Sequence, residues 1–123
     1  MSKVMVIDDE HDVRTFLKTF LQDNGYEVYV AVDAEDGLNK ISTDKPDLIT
    51  LDILMPNKTG VKFYREIKKD TAFKDIPVLI ISGVTKYGEL FSRDHRTLPK
   101  PEAFIEKPID KEVLLNKIKE LLG

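Results

Sequence analysis

Apolar residues along this chain fall into two alternating rhythms. Short unbroken runs read as strands covered on both faces, and between them stretches with a 3.6-residue repeat read as amphipathic helices. Lys3 to Ile7 is the first run and is ended by three acids, Asp8, Asp9 and Glu10. From His11 the period becomes helical, with Val13, Phe16, Leu17, Phe20 and Leu21 on one face and Asn24-Gly25 as the stop. Glu27 to Ala31 is the next strand, followed by Asp33 as N-cap of a helix that turns Ala34, Leu38 and Ile41 inward. The run Leu48 to Leu51 stops abruptly at Asp52. Pro56 and Asn57 then force a turn, and Thr59-Gly60 starts a helix with Val61, Tyr64 and Ile67 inward. Pro77 to Ile81 is a fourth strand, ending at Ser82-Gly83, and Ala103 to Ile105 a fifth, ending at Glu106-Lys107-Pro108. Asp110 caps a terminal helix facing the sheet with Leu114, Leu115, Ile118, Leu121 and Leu122. Between Ser82 and Ala103 the rhythm weakens. Tyr87 to Asp94 reads as a short helix with Leu90 and Phe91 inward, and Arg93 to Glu102 as an irregular loop.

Strands alternating with helices specify an α/β fold, a doubly wound five-stranded parallel sheet with right-handed crossovers and helices on both faces. The 123 residues make one domain of ordinary size, long enough to bury a core. With 41% hydrophobic and 33% charged residues the composition is that of a soluble globular protein, and a formal net charge of -3 supplies no basic surface for nucleic acid. No run reaches transmembrane length and the N-terminus carries no signal-peptide pattern, so a cytoplasmic location is expected. Cysteine is absent, which removes disulfide and thiol chemistry.

In such a sheet the polar residues that interrupt the strands gather at one edge: Asp8 and Asp9 after the first strand, Asp52 after the third, Ser82 after the fourth, Lys107 after the fifth. Each has a plainer role in isolation. The leading acids suit a helix N-terminus, Lys107 a surface, Ser82 a turn. Taken together they have a chemistry. Carboxylates a few ångströms apart repel by about 4 kcal/mol per pair at an effective dielectric of ~20, so they call for a divalent cation. Oxygen ligands with room for water suit Mg²⁺. A lysine and a hydroxyl complete a site that stabilises a transferring phosphoryl group, with Asp52 as nucleophile.

The strings Val6-Ile7-Asp8-Asp9-Glu10, Leu51-Asp52-Ile53-Leu54-Met55-Pro56, Ile80-Ile81-Ser82-Gly83 and Glu106-Lys107-Pro108-Ile109 resemble the receiver domain of two-component response regulators, in the same order and over essentially the whole chain. That resemblance implies a flavodoxin-like strand order 2-1-3-4-5. It implies that Asp52 accepts phosphate from a histidine kinase or phosphotransfer protein, and that Asp8, Asp9, Asp52 and the Leu54 backbone carbonyl hold Mg²⁺. It further implies that Ser82 and Lys107 contact the phosphoryl oxygens, that the Lys107-Pro108 bond is cis, and that Ser82 and Phe104 form a switch. The downstream protein target is then expected on the face of the fourth helix, last strand and last helix.

Three features depart from the common pattern: Phe104 lacks a hydroxyl, Thr59 stands where an acid is common, and the segment before the last strand carries Pro99 and Pro101. Leu54 and Val84 flank the path of the hydrolytic water in that family, and both are apolar here, which implies a slowly lost phosphate. His11 and His95 are assigned no chemistry. Two rival readings stand beside this one: a pseudo-receiver acting only as an interaction surface, and a Mg²⁺-dependent phosphatase with an aspartyl-phosphate intermediate. The second expects an acid two residues after the nucleophile, where this chain has Leu54. A dinucleotide-binding role lacks its glycine-rich loop.

Overall fold

Residues 2–56, 59–83 and 100–123 are described by a computed structural model of the chain. Five strands form one parallel sheet in the order β2-β1-β3-β4-β5. They are β1 (Lys3–Ile7), β2 (Glu27–Ala31), β3 (Leu48–Leu51), β4 (Val78–Ser82) and β5 (Ala103–Glu106). Helices α1 (His11–Asp23), α2 (Ala34–Thr43) and α3 (Thr59–Lys69), together with a C-terminal helix (Lys111–Leu122), connect or follow them.

Strand side chains alternate between two faces, and each face builds its own core. Met5, Ile7, Ile49, Leu51, Val78 and Ile80 pack with Ile41 of α2 and with Phe63, Tyr64 and Ile67 of α3. Val4, Val6, Leu48, Leu79, Ile81 and Ile105 pack with Leu17 and Leu21 of α1 and with Leu114 and Ile118 of the C-terminal helix. Both faces are thus covered, which is why the strands carry unbroken apolar runs.

The expected helix signals are at work. Asn24 is the C-cap of α1, and Gly25 follows at φ 91°, a left-handed conformation that glycine adopts without strain. The Asp33 side chain accepts the Asp36 N–H, and the Asp110 side chain accepts those of Glu112 and Val113. In α3 the inward stripe is Gly60, Phe63, Tyr64, Ile67 and Lys68, which differs from the expected one by adding Phe63, leaving Val61 only half-buried and including a lysine. Thr59 donates its hydroxyl to the Pro56 carbonyl. The expected short helix at 87–94, His95, Val84 and most of the irregular loop lie outside the described residues, as do Pro99 and any fourth-helix face.

Candidate functional site

The register of the sheet brings the acids together. Ile7 of β1 stands beside Leu51 of β3, so the residue following each strand, Asp8 and Asp52, occupies the adjoining rung at the carboxyl edge. The Asp52 N–H still donates to the Ile7 carbonyl at 3.0 Å, and the Asp8 N–H reaches the Ala31 carbonyl at 3.3 Å. Strand order reverses between β2-β1 and β1-β3, making this the topological switch point where α/β sheets place ligands.

Both aspartates are held in the same way. One oxygen of each, Oδ1, accepts the backbone N–H two residues on: Glu10 for Asp8 and Leu54 for Asp52, both at 2.9 Å. This Asx-type turn fixes the carboxyl orientation. The other oxygen, Oδ2, faces Lys107, whose Nζ lies 3.0 Å from Asp8 and 3.3 Å from Asp52. Asp8 and Asp52 are almost fully buried, at 2% and 4% exposure, while Asp9 and Glu10 are exposed.

Lys107 is delivered by β5. Its N–H donates to the carbonyl of buried Ser82 at 2.8 Å, extending the β4-β5 ladder, and the following Lys107-Pro108 bond is cis. Ser82, fully buried at the end of β4, therefore stands one strand over from Asp52. Phe104 is partly buried against the core face shared with α2 and α3. Leu54, by contrast, is exposed beside the acids.

Glu10 is a member of the site that the sequence reading left out. It is the N-cap residue of α1, yet its side chain makes no capping bond, and its Oε1 lies 3.3 Å from Lys107 Nζ. Arg14 donates to the Asp8 carbonyl at 2.8 Å and so braces the turn from α1.

The electrostatics follow from crowding. Burial raises the Asp8 carboxyl above its ordinary value, opposed by the Glu10 N–H and by Lys107 and reinforced by the charge of Asp52. Burial alone would lower Lys107, but hydrogen bonding to Asp8 and the charges of Asp52 and Asp8 outweigh it and the ammonium is raised. For Asp8 the cost of burial outweighs the help of its partners, and for Lys107 the partners outweigh the cost of burial. One oxygen from each of Asp8, Asp9, Glu10 and Asp52 lies within 4.8 Å of the others. Opposite ligands around Mg²⁺ stand about 4.2 Å apart, so this all-oxygen set fits the ion with small side-chain movement.

Fold and site together define a flavodoxin-like α/β domain with an acid pocket and an inserted lysine at its switch point. The chain belongs to the response regulator receiver domain family, which matches residues 4–119. It is 38% identical to Protein PilG of Pseudomonas aeruginosa over 117 residues, covering 95% of this chain and 84% of PilG. It is 28% identical to the phosphate regulon transcriptional regulatory protein PhoB of Escherichia coli over 120 residues, covering 98% of this chain but 51% of PhoB. The chain thus spans about half the length of PhoB. Among solved structures, the chemotaxis protein CheY4 of Vibrio cholerae superposes with a TM-score of 0.86 at 29% identity, covering 99% of both chains. The response regulator TrrA of Thermotoga maritima, solved in complex with Mg²⁺-BeF, gives 0.85 at 31%, covering 99% of this chain and 100% of that one. Among the described residues no helix is long and apolar enough to cross a membrane.

Proposed function

We propose that residues 1–123 act as one receiver domain in the cytoplasm, and that Asp52 accepts a phosphoryl group from the phosphohistidine of a histidine kinase or phosphotransfer protein. The observation that carries this reading is the position of Lys107 Nζ, within 3.3 Å of both Asp8 and Asp52, residues 99 and 55 positions away in sequence. Such a convergence needs the whole fold and has no use in a simple turn.

A carboxylate oxygen of Asp52 attacks phosphorus in line as the P–N bond to the donor imidazole breaks. The bonding pair leaves with the imidazole nitrogen, which then takes up a proton, and the product is an acyl phosphate on Asp52. The Asx turn at Leu54 fixes the nucleophile before reaction, so little orientational freedom is lost. Lys107 moves from the two carboxylates to a phosphoryl oxygen. Ser82 donates its hydroxyl to another and shifts as it does so, and Phe104 repacks by shape alone. Asp8, Asp9, Asp52 and the Leu54 carbonyl would hold Mg²⁺, which supplies charge neutralisation for the phosphoryl oxygens. Receiver domains communicate with kinases and downstream targets through a shift between two populated conformations.

Intact mass after exposure to Mg²⁺ and acetyl phosphate tests the assignment. The wild-type chain gains about 80 Da, the mass of one phosphoryl group, and Asp52→Asn gains nothing. Equal labelling of both, or of neither, overturns it.

A further inference from the structure

Glu10 touches Lys107 and lies in the oxygen set around the pocket, yet the proposed chemistry gives it no ligand role, and the inference drawn from it rests on that proposal. Asp8 and Asp52 each have Oδ1 held by a backbone N–H and turn Oδ2 toward Lys107, and both carboxyls belong to the oxygen set that fits a divalent cation. Lys107 and a divalent cation therefore compete for the same two carboxylates and repel one another at close range. A cation on those carboxylates loosens their hold on Lys107.

Glu10 stands where the displaced ammonium can go. Its backbone occupies the extended N-cap position of α1 (φ -90°, ψ 120°), and its side chain spends nothing on capping the helix. The carboxylate is already 3.3 Å from Lys107, and the side chain is 62% exposed, so following the lysine outward costs it little desolvation. Lys107, in contrast, is mostly covered, with 18% of its side chain exposed, and leaves close carboxylate partners behind if it swings into water alone.

We propose that Glu10 is a positioning residue: the counter-ion that receives Lys107 as it leaves Asp8 and Asp52. It thereby eases cation entry and keeps the ammonium at the mouth of the pocket, where a phosphoryl oxygen would meet it. An alternative, that Glu10 acts on the cation itself through a bound water, predicts a different coupling.

The test measures MgCl₂ affinity by isothermal titration calorimetry on the 123-residue chain as wild type, Glu10→Gln, Lys107→Met and the double variant, with thermal midpoints checking that each is folded. Glu10→Gln is expected to weaken Mg²⁺ binding about threefold, the size of a partly exposed ion pair. In the Lys107→Met background, where no ammonium needs a counter-ion, the same change is expected to move affinity less than about 1.5-fold. An undiminished effect in that background overturns the proposal in favour of direct action on the cation, as does an unchanged affinity in Glu10→Gln. Wild-type protein that neither binds Mg²⁺ nor gains phosphate at Asp52 overturns the receiver chemistry itself. Normal Mg²⁺ binding and Asp52 labelling without Glu10–Lys107 coupling overturns this inference alone.

Discussion

Replacing Gly60 by alanine tests how the site is tied to the fold. A Cβ there would lie 2.5 Å from the Asp52 carbonyl oxygen, 2.6 Å from Ile53 Cα and 3.0 Å from the Ile53 carbonyl carbon. Ordinary carbon contacts begin near 3.5 Å, so α3 must retreat by roughly 1 Å or push back the strand end that carries Asp52. None of these atoms is a side-chain tip that can rotate away. Overpacking of this kind costs about 1–3 kcal/mol or more, and alanine's better helix propensity returns at most about 1 kcal/mol. A net loss of about 2 kcal/mol lowers the thermal midpoint by about 8 °C in a chain of this size. Phosphorylation by acetyl phosphate slows as well, because the displaced backbone is that of the nucleophile. The comparison is internal. Among the described residues a Cβ on Gly83 meets nothing within 4 Å, and the nearest atoms to one on Gly37 are side-chain atoms of Ile7 and Phe63, at 2.9 and 3.1 Å. Gly83→Ala is therefore expected to shift the midpoint by less than about 2 °C, and Gly37→Ala to fall between the two. Melting of Gly60→Ala at the temperature of Gly83→Ala refutes the reasoning.

Lys68→Met removes an ammonium whose side chain is 2% exposed, bonded to Glu102 at 2.7 Å and to the Lys74 and Ile76 carbonyls at 3.2 and 3.1 Å. It is expected to cost about 3 kcal/mol in urea denaturation, and the loss should shrink when Glu102→Gln is added; additive losses count against a coupled pair. Burial pushes the Tyr29 and Tyr64 phenols up, with Asp44 and Glu102 adding to the respective shifts, so the folded state keeps protons that the unfolded chain loses near its ordinary value of 10.0. Stability is then fully present below that pH and lost above it, which a falling urea midpoint between about pH 9 and about pH 11 would show and a flat one would contradict. Phosphate on Asp52 is expected to persist for minutes or longer, since exposed Leu54 cannot orient a water; decay within seconds after removal of the phosphodonor argues against it.

Most of the frame was readable in the chain because it depends on local signals. Unbroken apolar runs marked the strands, Asp33 and Asp110 marked helix starts, and parallel register placed Asp8 and Asp52 side by side once the strand ends were known. What escaped depends on partners distant in sequence. The stripe of α3 is anchored on Gly60, which carries no hydrophobic signal. Anchoring it on Val61 hides both Phe63 and the burial of Lys68. That lysine is neutralised inside by Glu102, which arrives from 34 residues away and also accepts the Val78 N–H at 2.8 Å, while two nearby carbonyls take its other protons. Glu10 looked like an ordinary first-turn acid because nothing local shows that its side chain leaves the helix for Lys107.

The twin turns at Asp8 and Asp52 have a consequence for denticity. With Oδ1 of each held by its own loop, neither carboxyl can rotate to chelate a metal through both oxygens without straining its turn. Large cations that wrap themselves in chelating carboxylates and six to eight oxygens gain little from such a pair, whereas a small octahedral ion content with one oxygen per residue and several waters loses nothing. Two backbone hydrogen bonds are thereby expected to favour a small cation over a large one.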